Sequence, residues 1–87
     1  SAADEHIETY LDLNELVVKH PAATFFVRVA GESMKDAGIY PGDILVVDRS
    51  LTAVSGKIVV ACLDGDFLVK RFVAEGKRVR LVSANPK

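Results

Sequence analysis

The chain has 87 residues, with 11 Lys and Arg against 12 Asp and Glu for a formal net charge of -1, and it is 49 % hydrophobic and 26 % charged, without Trp. These values fit one soluble globular domain, exclude a disordered or fibrous chain, and remove the electrostatic basis for strong direct nucleic-acid binding through phosphate neutralisation. At this length a single core is marginal, because small domains bury a smaller share of their surface, so a partner subunit is expected.

No run approaches the roughly 18 consecutive apolar residues of a membrane helix. Asp4, Glu5 and Glu8 stand where a signal peptide would be basic and then apolar. Cys62 is the only cysteine, so no intrachain disulfide forms, and a cytoplasmic protein is the expectation. Residues 1–9, SAADEHIET, are polar without a period and read as a flexible arm ahead of a domain over residues 10–87. In LDLNELVVKHP, Asp12 is placed to cap one short helix carrying Leu13, Leu16 and Val17, with Pro21 just beyond its end.

From Thr24 the β-branched and aromatic residues of TFFVRVAG predict a strand, and YPGDILVVD predicts a Pro-Gly turn leading into another. KIVVACL and DFLVKRFVA follow, joined at Asp64-Gly65, a dipeptide suited to the positive φ angles of a type I′ hairpin. EGK then turns the chain into RVRLVSA, so the fold class is mostly β. Counting outward from Asp64-Gly65 pairs Leu63 with Asp66 and Val59 with Lys70. Lys70 then shares a face with Leu68, Phe72, Val59 and Ala61, while Arg71 lies on the other.

An ammonium among apolar neighbours loses hydration, which favours the neutral, proton-accepting amine. Alternatively Lys70 lays its stem over those neighbours and sends its charge to solvent. Strand period leaves both readings open, and it does not choose between Lys70 and Arg71. Ser33, where strand gives way to a short helical turn, is ordinarily a cap. Beside an unprotonated lysine, however, a serine hydroxyl becomes a nucleophile, and the backbone N–H groups of Ser33 and Met34 are placed to stabilise an oxyanion. Gly31 is expected to permit a sharp bend there.

The segments VAGESM and GIYPGDILVVD, followed by Lys70 in DGDFLVKRF 37 positions after Ser33, resemble the catalytic core of the LexA/UmuD family of serine-lysine self-cleaving proteins. LDLNELVVKHPAATFFVRVAGESM is more similar to the UmuD/MucA branch than to the repressors. The resemblance implies a LexA/UmuD-like peptidase β fold in which Ser33 attacks a peptide bond of the protein's own arm after Lys70 takes its proton. It further implies stimulation by a RecA filament on single-stranded DNA during the SOS response to DNA damage. The shortened homodimer would then join a UmuC-type subunit as the accessory subunit of translesion polymerase V.

The family's cut falls after a small residue or Cys and before Gly. The start of this chain, SAADEHIETYLDLN, carries no such dipeptide and resembles the sequence just downstream of that cut, so the processed form is expected. Relatives continue past LVSANPK by further strands, whose absence would leave an open sheet edge.

Rival readings remain. The chain could be a spent binding module for the polymerase subunit alone. A signal-peptidase-like enzyme would need a membrane anchor, for which there is no span. KRVR, residues 77–80, alternates in direction and forms at most a small basic patch. His6 and His20 have no ligand spacing for a metal, and no cofactor is expected. Cys62 reads as a core residue, and Asp64 and Asp66 as turn residues.

Overall fold

A computed structural model describes residues 18–86. The arm at residues 1–9 and most of the helix expected between Asp12 and Pro21 lie outside the described residues; residues 18–20, its last part, are not helical. Pro21 opens a 3₁₀ turn, Pro21–Ala23, where its fixed φ suits the first helical position and its missing N–H costs nothing.

Strand β1 (Thr24–Arg28) follows and pairs antiparallel with β2 (Ile44–Asp48), Thr24 opposite Asp48 and Arg28 opposite Ile44. The pairing runs on past the strand ends, because Val29 N–H donates to the Asp43 carbonyl and Gly42 N–H to the Val29 carbonyl, both at 2.8 Å. The chain between these strands makes a 3₁₀ turn, Lys35–Ala37, which Gly38 closes in the left-handed region at φ 78°. It re-enters β2 through Tyr40-Pro41-Gly42-Asp43, where Asp43 N–H donates to the Tyr40 carbonyl at 3.0 Å and Gly42 has φ 91°. Proline second and a positive-φ glycine third are what a type II turn requires.

A second sheet holds β3 (Ile58–Leu63), β4 (Asp66–Glu75) and β5 (Arg78–Val82) in that order, all antiparallel. The β3–β4 register is the one counted from the sequence, from Leu63 opposite Asp66 to Val59 opposite Lys70. Asp64 and Gly65 have φ 49° and 85°, the two positive values of a type I′ turn. Between β4 and β5 only Gly76 is positive, at φ 59°, the pattern of a type II′ turn.

The sheets meet where the Phe25 and Phe67 rings lie 6.1 Å apart. An apolar groove of about 1100 Å³ runs between them, lined by Phe25, Val47, Val60, Cys62, Phe67 and Val69 among others. The core is thin: among the described residues only Val29, at 8 % exposure, and Met34, at 2 %, are buried apolar side chains, while Phe26, Leu51 and Val79 stand more than half exposed. Both buried residues belong to the segment that presents Ser33.

Candidate active site

Ser33 sits half-buried in the turn that leads into Lys35–Ala37. Two bonds to one acceptor shape that turn: Ala37 N–H and Ile39 N–H donate to the Met34 carbonyl at 3.0 and 3.2 Å. The Met34 side chain, buried beneath it, anchors Ser33 from one residue away. The chain bends at Gly31 as expected, but the bend does not require glycine: Gly31 is not among the positive-φ glycines, and a Cβ there would meet nothing within 4 Å. The 3₁₀ turn that follows is closed by Gly38 in the left-handed region. Among the described residues, the Ser33 hydroxyl and the Ser33 and Met34 N–H groups have no hydrogen-bond partner.

Lys70 lies half-buried in the middle of β4, opposite Val59, and is not among the residues lining the inter-sheet groove. Its Nζ donates to Ser83 Oγ at 2.9 Å, not to Ser33. Arg71, one residue on and on the other face, donates from Nη1 to the Gly56 carbonyl at 2.6 Å. The two basic residues that strand period could not separate thus have different employment: Arg71 holds a turn, and Lys70 reaches a serine hydroxyl.

Residues 83–85 connect Lys70 to the Ser33 turn. Ala84 N–H donates to the Ser33 carbonyl at 2.7 Å, Asp36 N–H to the Ala84 carbonyl at 2.6 Å, and Asn85 Nδ2 to the Glu32 carbonyl at 2.8 Å. Ser83, bonded to Lys70, and Ala84, bonded to Ser33, are adjacent in sequence, so one short segment ties both candidate residues together. The sequence reading missed Ser83, although a signal was present. Counting outward from the Gly76-Lys77 turn, with Glu75 opposite Arg78 and Arg71 opposite Val82, brings position 83 opposite Lys70.

A second polar cluster also escaped notice. His20 Nδ1 lies 2.5 Å from Asp48 Oδ2, and Ser50 Oγ donates to Asp48 Oδ1 at 2.6 Å while standing 3.2 Å from the same ring nitrogen. Hydrogen bonds from the Ser50 hydroxyl and from His20 draw the Asp48 carboxyl down from 3.8 to about 2. The residue types are those of a catalytic triad, but the geometry is not, since serine and carboxylate meet one nitrogen instead of opposite sides of the ring.

Cys62 corrects the sequence reading: it is exposed, on the groove face opposite Phe67. Arg80 Nη2 bonds Glu75 Oε1 at 2.7 Å with both side chains well exposed, so this part of KRVR is a solvated edge. Among the described residues no three His, Cys, Asp or Glu gather as a metal site, and no helix is long and apolar enough to cross a membrane.

Comparison with known proteins adds the family. The Peptidase S24-like model matches residues 1–87. MucA of Salmonella typhimurium is 53 % identical over 73 residues, which are 84 % of this chain and 50 % of MucA. SamA of Salmonella typhimurium strain LT2 is 45 % identical over 86 residues, 99 % of this chain and 61 % of SamA. The LexA repressor of Psychromonas ingrahamii is 46 % identical over 83 residues, 95 % of this chain and 39 % of the repressor. The chain spans about half the length of the MucA-type relatives it matches. With the family model matched over residues 1–87 and MucA-type relatives at up to 53 % identity, the chain belongs to the Peptidase S24-like family, as a LexA-like protein of UmuD/MucA type.

Proposed function

We propose that this chain carries a serine-lysine self-cleaving site of an SOS mutagenesis protein, with Ser33 as nucleophile and Lys70 as general base. The single observation that carries the reading is the 83–85 segment, which bonds Lys70 through Ser83 and the Ser33 turn through Ala84. Neutral Lys70 Nζ takes the Ser33 hydroxyl proton as Oγ attacks the scissile carbonyl carbon. The tetrahedral oxyanion is held by the Ser33 and Met34 N–H groups, which have no other acceptor among the described residues. Lys70 then gives its proton to the departing amine. The acyl-serine is hydrolysed when Lys70 deprotonates a water, releasing a carboxylate and restoring the hydroxyl.

The substrate class is a peptide bond in the arm of the protein itself or of a family member, and a RecA filament on single-stranded DNA is the proposed stimulus. The product works as a homodimer with a UmuC-type subunit in the error-prone translesion polymerase V. Exposed Phe26, Ile44, Leu51, Val54 and Val79 support a chain that buries part of its apolar surface against another.

The test is cleavage in trans. The chain is mixed with a family relative whose own nucleophilic serine is replaced by alanine, across rising pH. Cutting that rises as an amine deprotonates, and disappears in Ser33→Ala and in Lys70→Ala, supports the reading. No cutting from folded chain that still binds the relative overturns it in favour of a catalytically spent binding module for the polymerase subunit.

A further inference from the structure

The geometry points to Ser83 as the positioning residue of Lys70, a hydroxyl that fixes where the lysine nitrogen sits and so where its lone pair can be presented. This inference rests on the assignment of Lys70 as general base and goes one residue beyond it. Four hydrogen bonds carry it. Ser83 Oγ accepts from Lys70 Nζ at 2.9 Å, and the segment that holds Ser83 is pinned to the opposite side of the site through Ala84 to Ser33, Asp36 to Ala84, and Asn85 to Glu32.

Ser83 stands one residue past the end of β5, at the position the β4–β5 register places across from Lys70. The strand ladder sets its height, and the Ala84–Ser33 bond sets its distance from the nucleophile's turn. A lysine stem has four rotatable carbons and, unattached, places its nitrogen loosely. A hydroxyl accepts one N–H from the ammonium and one from the neutral amine alike, so the attachment survives the proton transfer that a base must perform. With one N–H committed to Ser83, the lone pair of the neutral amine is confined to the remaining directions. Among the described residues no carboxylate bonds Nζ.

The experiment compares wild type with Ser83→Ala and Ser83→Thr in the trans-cleavage assay over rising pH, alongside NMR of the Lys70 Nζ protons. Ser83→Ala is expected to lose about 10- to 100-fold of the plateau rate, the scale of a small displacement of a catalytic group. Its rise with pH is expected to move to lower pH, because the lost bond is stronger to the charged ammonium than to the amine. Ser83→Thr, which keeps the hydroxyl, is expected to restore rate and profile. The Nζ proton signal, slowed in exchange by the bond to Ser83, is expected in wild type and Ser83→Thr and lost in Ser83→Ala.

Ser83→Ala with an unchanged rate and profile, while Lys70→Ala is dead, overturns the inference and leaves the Ser33–Lys70 assignment standing. Cleavage that persists in Lys70→Ala overturns that assignment instead. If wild type does not cut, the Nζ proton signal decides whether Ser83 holds the lysine: unaltered in Ser83→Ala, it sinks the inference. Should Ser83→Ala fail to fold, Ser83→Cys, close in size and a weak acceptor, carries the same readings.

Discussion

Two clusters in this small domain combine a serine with a basic side chain, and they differ in how much hydrogen-bonding capacity they leave unused. At His20–Asp48–Ser50 the capacity is spent. Asp48 accepts from His20, from the Ser50 hydroxyl and from the Ser50 N–H at 2.9 Å, and the Ser50 proton already points at a carboxylate. That arrangement fastens the start of β1 to the end of β2. At Ser33–Lys70–Ser83 the nucleophile candidate has no partner among the described residues, and the lysine has one. Chemistry needs groups that are held but not satisfied. Residue types alone would rank the first cluster higher, yet its hydrogen bonds close on one another.

The sharpest way to break the comparison is to remove each serine. Ser33→Ala and Lys70→Ala are expected to lower trans cleavage by about a thousandfold or more, as loss of a nucleophile or its base does. Ser50→Ala and His20→Ala are expected to leave it within a few fold, and an equal loss in a folded Ser50→Ala protein would contradict the division drawn here.

Next in size is the support beneath Ser33. Met34→Ala empties the most buried apolar position among the described residues. It is expected to cost about 2–5 kcal/mol in denaturant unfolding and to take cleavage with it. A smaller contrast separates two glycines. Gly65→Ala, at φ 85°, is expected to destabilise by about 1 kcal/mol or more. Gly31→Ala, with no positive φ and open space for a Cβ, is expected to change stability by at most about 1 kcal/mol, in the stabilising direction. Thermal or urea midpoints of the two variants decide the matter.

The mildest effect belongs to the spent cluster and appears only in acid. Because the Asp48 carboxyl lies at about 2 when folded and near 3.8 otherwise, its contribution is complete above the higher value and is lost as pH falls through the lower one. Ser50→Ala removes the largest cause of that depression, so its acid unfolding, followed by circular dichroism, is expected to begin at higher pH than in wild type. Identical acid transitions would show that Ser50 does not hold the carboxylate in solution.

Much of this was legible beforehand. The β3–β4 register could be counted residue by residue, since Asp64-Gly65 is a strong turn signal and side chains alternate with period 2. The family was legible in VAGESM and DGDFLVKRF, and the match over residues 1–87 agrees. Ser83 was countable from the Gly76-Lys77 turn and went unread, because a lone serine near a strand end carries no signal until its partner is known. The exposure of Cys62 was not legible. Its alternation places it on the groove face, but whether that face is covered depends on how closely the two sheets approach.

By itself the sequence determined the strands, their turns and the pairing within the second sheet, because those depend on residues close along the chain: β-branched runs, φ-permissive glycines and alternation. Only the tertiary structure decided that Arg71 holds a turn while Lys70 bonds Ser83, and that the segment carrying Ser83 docks on the Ser33 turn. Lys70 and Ser83 meet through the β4–β5 register, but Ser33 and Ala84 are separated by 51 positions, so their contact depends on long-range docking of residues 83–85 on the Ser33 turn, which no local propensity encodes.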